Sequence, residues 1–395
     1  MKTTIKSLTH SINYLHNSDK SYKALRKHLN TMPVGFPATI TGVERRILKD
    51  MFSVDEARVA VYMDWRFETA DTIFEKAGGP LGMEREKVGS LLESMEKKGA
   101  IFAKNGDGIW KYALHPLILG MFEMHLDALT PGLWLDMRKY VVPYFLIEYM
   151  TSAIPQMRVI PVEKSVTPEH NIAAYDEIRH IIKHTEQEIC IAECICRKAS
   201  NLVGKSCERT DRKETCMGLG DFGAQYARNG WARVITREEA LEHIDLCEKE
   251  GLIIHPFNEK NPEAICFCCG CCCGIVELLK SFPHPADFVA SNYYAALDTK
   301  LCNGCGTCVK RCQTDAFTLK NKKKGKMAVL NTGKCIGCGL CVTTCKAGAL
   351  KLVKKDTETV PPNTMEEKFQ IIMDGKKGAV GKLFSTAKGI VGLKP

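Results

Sequence analysis

The stretch that decides the fold is LCNGCGTCVKRCQTDAFTL (Leu301–Leu319), which recurs 33 residues later as KCIGCGLCVTTCKAGALKL (Lys334–Leu352). Each copy has the cysteine spacing C-x2-C-x2-C-x3-C. The glycines between these cysteines let the backbone turn tightly and point its amide groups at inorganic sulfide. Three thiolates from one such loop fill three corners of a cubane cluster, so we expect the fourth ligand to come from elsewhere.

This repeat resembles the bacterial-type two-cluster 4Fe-4S ferredoxins, across roughly residues 298–355. In that family the fourth cysteine of each run ligates the other cluster. The resemblance therefore implies two ligand sets: Cys302, Cys305, Cys308 and Cys345 for cluster 1, and Cys335, Cys338, Cys341 and Cys312 for cluster 2. Gln313 and Lys346 stand where the family usually has a proline after the fourth cysteine. Ligation should survive this departure, because proline is not a ligand.

The repeat is also strongly basic. From Lys300 to Lys355 there are thirteen Lys or Arg and a single acidic residue, Asp315. A basic face beside a redox centre steers an acidic partner, so we expect an acidic redox protein or a larger oxidoreductase subunit. A charged loop that only aids solubility is the alternative. Nucleic acid is less consistent with the pattern, since no aromatic residues interleave with the lysines.

Four further cysteines lie upstream in a Lys/Arg-rich stretch, at Cys194, Cys196, Cys207 and Cys216. Thiolates in such surroundings suit a metal better than core packing, and we expect a third iron-sulfur cluster there, with zinc as the alternative. Cys190 and Cys247 fall in helical patterns and are predicted to be core thiols. The glycines Gly218, Gly220 and Gly223 form a G-x-G-x-x-G, but no buried strand is expected before them, which argues against a dinucleotide site.

The segment CFCCGCCCG (Cys266–Gly274) carries six cysteines in eight residues: Cys266, Cys268, Cys269, Cys271, Cys272 and Cys273. Adjacent side chains of an extended chain point to opposite sides, so six neighbours cannot all reach one cubane. We therefore expect a subset to complete a cluster. The others bind another metal, bridge irons in a different arrangement or remain free thiols.

The first part of the chain has a different pattern. A capping box at Ser53 opens a helix, further helices fit 69–77 and 84–98, and residues 101–114 predict a hairpin. Helices followed by a two-stranded wing resemble a winged helix. The helix over 84–98 balances four acidic with four basic residues. This balance argues against DNA binding and favours protein docking or a scaffold role.

Together these patterns predict an α+β, multidomain protein. Its N-terminal and middle regions would be mainly helical with a winged-helix-like unit, followed by a small ferredoxin-like (βαβ)2 domain. A second capping box at Thr236 predicts a helix that ends at Gly251. The predicted segments are an N-terminal helical segment (1–40), a winged-helix-like domain (41–130), a cysteine-rich metal-binding domain (131–297), the two-cluster domain (298–355), and a linker with an amphipathic helix (356–395). That last helix would dock on protein, with a membrane surface as the alternative.

The sequence also sets the cellular context. Twenty cysteines in 395 residues, with no apolar signal sequence at the start, predict reduced thiols and a cytoplasmic protein. VVPYFLIEYM (Val141–Met150) is shorter than the roughly 20 residues of a membrane span, so no transmembrane segment is predicted.

Three functions fit these observations. The first is an electron-transfer protein that passes single electrons from a soluble low-potential donor to a larger redox enzyme in anaerobic metabolism. The second is an iron-sulfur reductase with its own active site at 266–273. The third is an iron-sulfur redox sensor that regulates transcription. The sequence leaves open whether the chain is an enzyme; if it is, we expect an oxidoreductase.

Overall fold

The structure is a computed structural model that describes residues 19–322 and 325–390. The chain divides into two compact units, Met1–Tyr149 and Met150–Pro395. The five segments expected from the sequence are finer than this division and stay a prediction. No helix among the described residues is long and apolar enough to cross a membrane.

Helices dominate residues 19–151. They are α1 (19–29), α2 (Val43–Met51), α3 (Val54–Ala60), α4 (Ala70–Leu81), α5 (Arg85–Lys97), α6 (Phe122–Met124), α7 (Pro131–Tyr140) and α8 (Leu146–Thr151). The capping box at Ser53 forms as expected, because its side chain accepts from the Glu56 backbone while the Glu56 carboxylate accepts from the Ser53 N–H. The Glu56 carboxylate also binds Lys98, which fixes the start of α3 against the end of α5.

The hairpin of the first unit is present. Strands β2 (Phe102–Gly106) and β3 (Ile109–Ala113) pair antiparallel, and a two-residue strand, β1 (Glu68–Thr69), adds to the other edge of β3. Asp107 and Gly108 both have positive φ in the connecting turn, which is the conformation that a two-residue hairpin needs. The sequence predicted the two long strands and missed the short one.

The second unit contains a five-stranded antiparallel sheet with the strand order β6-β4-β5-β8-β7. Its strands are β4 (Ile189–Glu193), β5 (Glu214–Leu219), β6 (Ala232–Ile235), β7 (Ile253–Pro256) and β8 (Ala264–Cys268). The helices of the same region are α9 (Ile178–His184), α10 (Ile195–Leu202), α11 (Gly220–Arg228), α12 (Arg237–Glu250) and α13 (Gly274–Lys280). Helices still hold more of this region's residues than strands, as the sequence predicted, but a sheet of five strands was not anticipated.

There is a physical reason why this sheet was not anticipated. All four residues of β7 are buried, and β8 is also covered almost throughout, so neither strand alternates between apolar and polar residues. A short apolar run of this kind has the same periodicity as a piece of buried helix. The sheet is recognised only in the structure, where each strand pairs with its neighbours.

The glycine-rich motif follows a strand after all. Strand β5 runs directly into α11 through Gly220, although β5 pairs antiparallel with both of its neighbours and forms no parallel βαβ unit. A Cβ at Gly218 would lie 2.8 Å from the Cys190 sulfur and 2.9 Å from Cα of Gly223. These glycines allow close packing of the strand on the helix, so the strandless context expected from the sequence is corrected.

Helix α12 begins and ends where the sequence predicted. The Thr236 side chain accepts from the Glu239 N–H, and Gly251 ends the helix with a φ of 83°. The Glu239 carboxylate pairs with Arg233 on β6. That strand had not been anticipated.

The two cysteine runs lie in a compact segment that we call the repeat segment (residues 293–354). Two antiparallel pairs frame it, β9 (Tyr293–Leu297) with β12 (Leu350–Lys354) and β10 (Phe317–Asn321) with β11 (Lys326–Leu330). The first run contains the short helix α14 (Thr307–Arg311), whereas turns occupy the equivalent place in the second. Strand β9 lies before residue 298, so the fold begins earlier than the repeated sequence.

The C-terminal part forms two helices where the sequence predicted one, α15 (Met365–Asp374) and α16 (Ala379–Ile390). Their separation coincides with the glycines Gly375 and Gly378, which disfavour helix interiors. On α15, Met365, Phe369 and Ile372 are buried.

Glu263 gives the second unit a pH dependence that can be measured. Burial, together with the nearby charges of Glu259 and Asp221, raises its pKa from 4.5 to about 8. Between these values the folded state holds a proton that the unfolded state has released, so stability falls as the pH rises, by at most about 1.4 kcal/mol per pH unit.

We expect Glu263→Gln to flatten this dependence between about pH 5 and pH 8, because the carboxamide stays neutral. Urea unfolding followed across that range measures the slope. Glu242→Gln, at an exposed position, is the control and should keep the wild-type slope. An unchanged slope in Glu263→Gln would contradict the prediction.

Candidate metal centre

The four thiols that the family resemblance implies for cluster 2 lie near one another, and Cys308 of the other set also acts on Cys341. The negative charges of Cys312 and Cys335 act on Cys338, and the thiols at 338, 335 and 312 act in turn on Cys341. Burial is the largest cause that raises the pKa of Cys341, followed by these neighbouring charges. A metal cluster would neutralise such a concentration of thiolates, so the donor set fits one.

Backbone amides also point at these sulfurs. The Ala316 N–H donates to Cys312 Sγ at 3.2 Å, and the Ala295 N–H donates to Cys335 Sγ at 3.3 Å. Hydrogen bonds of this type tune the potential of a bound iron-sulfur cluster. The repeat segment therefore supplies the ligands and also the donors that surround them.

The thiols assigned to cluster 1 lie nearer to solvent. Cys305 is exposed and Cys302 and Cys308 are partly exposed, whereas Cys335 and Cys341 of the other set are only 8% and 7% exposed. Cys345 packs on the same small core as Cys302 and Cys308. The remaining thiols of both sets are partly exposed, so the sets differ in that one contains the exposed Cys305 and the other the buried Cys335 and Cys341.

Glycines allow the cysteine loops to pack closely against neighbouring strands. Gly304 and Gly337, at equivalent positions of the two runs, have φ values of 72° and 74°. A Cβ would lie 2.0 Å from the Lys326 carbonyl oxygen at Gly304 and 2.2 Å from the Tyr293 carbonyl oxygen at Gly337. Both the left-handed backbone and the close approach of a strand require glycine here.

The ten upstream cysteines that the sequence analysis assigned to metal form two groups. The first, which we call the four-thiol group, contains Cys207, Cys269, Cys271 and Cys272, whose sulfurs all lie within 4.8 Å of one another. Hydrogen bonds from the other three thiols hold the pKa of Cys207 far below its usual range. The group joins the loop between α10 and β5 to the turn after β8.

The other six thiols follow one another in an unbroken series of side-chain contacts. In order of contact this six-thiol group is Cys194, Cys196, Cys273, Cys268, Cys266 and Cys216. The sulfurs of Cys273 and Cys268 are 3.4 Å apart. Strand pairing explains the end of the series, because β5 and β8 place Cys216 directly opposite Cys266.

This grouping differs from the one expected from the sequence. Cys207 was placed with Cys194, Cys196 and Cys216, but it lies with the turn after β8. The CFCCGCCCG segment is divided between the groups as expected, although the adjacent Cys271 and Cys272 stay together in one turn. Its residues 266, 268 and 273 belong to the six-thiol group, and 269, 271 and 272 belong to the four-thiol group.

Positive charge for these thiols comes from residues that the sequence analysis missed. Arg197 is buried, donates to the Phe267 carbonyl at 3.0 Å, and interacts with the charges of Cys194 and Cys269. Its position follows from α10, whose N-cap residue is Cys194. Cys273 is likewise the N-cap of α13, so both thiols lie at the positive end of a helix dipole.

His255 is a second residue that was missed. It lies opposite Cys266 in the pairing of β7 with β8 and is 1% exposed. Burial lowers its pKa to about 4, so the ring is neutral at physiological pH. Neither ring nitrogen has a hydrogen-bond partner within the described part of the chain. A neutral imidazole of this kind is a candidate metal ligand.

Two cysteines stand apart from both groups. Burial raises the pKa of Cys190 to about 11 and that of Cys247 to about 12. Both thiols are buried, so the expectation of core thiols agrees with the structure, although Cys190 lies on β4 and not on a helix.

Gln313 connects the repeat segment to the thiol-rich turn. The Gly270 N–H donates to Gln313 Oε1 at 2.8 Å, and Gln313 Nε2 donates to the Gly251 carbonyl oxygen at 2.6 Å. A Cβ at Gly270 would lie 2.3 Å from the Gln313 carbonyl oxygen. A proline at position 313 could make neither side-chain bond. The departure from the family pattern was visible in the sequence, but its role was not.

Comparison with known proteins supports the assignment of the repeat segment. The family model of the 4Fe-4S dicluster domain matches residues 301–359. No curated protein matches the chain. The chain therefore contains a ferredoxin-like module that binds iron-sulfur clusters, and its function is in general one of redox chemistry or electron transfer.

Proposed function

We propose that this chain is an iron-sulfur electron-transfer protein, whose repeat segment passes single electrons to a further iron-sulfur cluster held by cysteines of the six-thiol group. The contact of Gln313 with Gly270 carries the proposal. It joins the residue that follows Cys312 to the residue between Cys269 and Cys271. Iron-sulfur clusters supply one-electron transfer when they are bound.

The difference in exposure between the thiols supports one direction of electron flow through the repeat segment. Cys305 is exposed, and Cys312 on the interior side is followed by the buried Gln313. An external donor therefore approaches the set that contains Cys305, while the set that contains Cys312 adjoins the thiol-rich turn. Further hydrogen bonds hold this arrangement, since Arg311 donates to the carbonyl oxygen of Lys249 at 2.9 Å.

The charge of the repeat segment supports an acidic donor. Lys300, Lys310, Lys326 and Lys346 are all exposed, and they lie close in sequence to cluster ligands or to the glycine loops. Complementary charge raises the rate of encounter with an acidic redox protein, and this advantage declines with salt. We propose such a protein as the donor and a larger oxidoreductase as the acceptor, in anaerobic metabolism.

The first unit would supply a docking surface for the larger partner. Its helices and three-stranded sheet support a winged-helix-like arrangement, but the start of β3 exposes apolar side chains, with Ile109 at 53% and Trp110 at 36%. Helix α5 carries mixed charge. Both features favour contact with protein over contact with phosphate.

The test is electron distribution after mixing with reduced viologen, which gives up one electron per molecule. We expect an early electron paramagnetic resonance signal from the repeat segment, followed by a second signal from the ten-cysteine region. Gln313→Leu should delay the second signal several-fold. The variant loses two buried hydrogen bonds, worth about 1 kcal/mol each, that hold the turn against the segment.

Gln370→Leu is the matched control, because this glutamine bonds to Asp374 on α15. It should leave both phases unchanged, and iron and sulfide contents should equal those of the wild type in both variants. Electrons that stay on the repeat segment of the wild type would contradict the proposal. Reduction of a disulfide by the isolated protein would favour the reductase function instead.

A further inference from the structure

The four-thiol group is compact in a way that the other cysteines are not. Cys207 Sγ lies 3.8 Å from Cys269 Sγ and 3.7 Å from Cys271 Sγ, and the sulfurs of Cys271 and Cys272 are 3.7 Å apart. The eight cysteines of the repeat segment are all described, and no three of their sulfurs gather within the same 4.8 Å span. The protein therefore contains thiol arrangements of two different sizes.

These sizes correspond to different metal centres. A single zinc ion binds thiolates at about 2.3 Å, so four sulfurs at the corners of a tetrahedron lie about 3.8 Å from one another. In a cubane each thiolate binds a different iron, and the sulfurs must lie farther apart because the irons are themselves separated. Three of the six sulfur separations in the four-thiol group, at 3.7–3.8 Å, match the edges of the smaller tetrahedron, and all six are within 4.8 Å.

We propose that Cys207, Cys269, Cys271 and Cys272 bind one tetrahedral metal ion, Zn2+ or Fe2+, without inorganic sulfide. Four thiolates complete the coordination, so the site is closed and leaves no position for water or substrate. This centre is additional to the two clusters of the repeat segment. It does not depend on the direction of electron flow proposed above.

The surroundings fit a metal that ties two parts of the chain together. Cys207 comes from the loop between α10 and β5, and the other three ligands come from the turn between β8 and α13. The buried Arg197 faces Cys207 and Cys269, so it offsets the negative charge of a tetrathiolate complex. Arg209, two residues after Cys207, donates to the Lys310 carbonyl at 2.6 Å and extends this connection to the repeat segment.

The test counts metal and sulfide in the anaerobically purified full chain. We expect Cys207→Ala and Cys271→Ala each to lose about one zinc or iron per chain, with sulfide unchanged, because a mononuclear site contains no sulfide. Cys247→Ala removes a buried thiol outside both groups and should change neither count. Loss of sulfide together with several irons would overturn the proposal, as would an unchanged metal content.

A measurement on the wild type keeps the test independent of folding in the variants. X-ray absorption at the zinc edge should give four sulfur neighbours at about 2.3 Å. If the site takes iron, the Mössbauer spectrum should contain one mononuclear tetrathiolate iron beside the signals of the clusters. A wild-type protein with neither signature would overturn the proposal. The electron-distribution experiment with Gln313→Leu can fail or succeed without affecting this result.

Discussion

Replacement of Cys312 by Ala should remove one whole cluster, about four irons and four sulfides per chain. The reason is geometric, because the Cys312 sulfur lies among the thiols of the second run although it comes from the first. Alanine offers no ligand atom in its place. The Ala316 N–H, which donates to this sulfur, also loses its acceptor.

Iron and sulfide analysis of anaerobically purified protein measures the loss, and the spectrum of the reduced protein identifies the cluster that remains. Cys305→Ala should remove the solvent-side cluster and leave the interior one, so the two variants should retain different signals. Cys247→Ala again serves as the control. The ligand assignment fails if Cys312→Ala keeps the full iron content, or if both variants retain the same signal.

The second large effect concerns a buried ion pair that attaches α15 to the rest of the second unit. The Lys368 ammonium binds the Glu259 carboxylate, and their side chains are 3% and 0% exposed. Lys368 also lies 4.8 Å above the ring of Phe257. We expect Lys368→Met to cost about 3–5 kcal/mol of unfolding free energy, because it leaves a buried carboxylate without its cation.

Urea unfolding monitored by helical circular dichroism measures this cost. The double variant Glu259→Leu/Lys368→Met is the matched comparison, because it replaces both charges by apolar groups of similar size. It should recover most of the stability, since a buried pair is worth much less than the penalty for breaking it. A cost below about 1 kcal/mol for Lys368→Met, the range of an exposed pair, would contradict the prediction.

Local signals in the sequence predicted some features well. The Ser53 box, the 102–113 hairpin and the end of α12 at Gly251 each depend on a few adjacent residues, and all three are present. The five-stranded sheet was not anticipated, because its strands are short and two of them, β7 and β8, are buried on both sides. The C-terminal helices were predicted as one, although the glycines between them were visible.

The candidate site shows the same difference between features set by adjacent residues and features set by tertiary packing. Residues such as Arg197, His255 and Gln313 carry no motif, and they reach the thiols only because strands, helices and the repeat segment pack together. A lone arginine or histidine in a sequence has no signal that separates it from a surface or core residue. Their role depends on which cysteine sulfur each of them lies near, and this follows from how the strands and helices pack.

The sequence by itself determined that the chain binds iron-sulfur clusters, because the ligand spacing of the repeat is local and each loop holds three thiolates within a few residues. It also determined that CFCCGCCCG could not form one site, since neighbouring side chains diverge. Only the tertiary structure decided which of these cysteines lie together. Cys207 comes from a distant loop to join 269, 271 and 272, while Cys194, Cys196 and Cys216 join the remaining three. The physical reason is that these contacts join residues far apart in the sequence. The register of β5 with β8, which places Cys216 opposite Cys266, is one that no local pattern specifies.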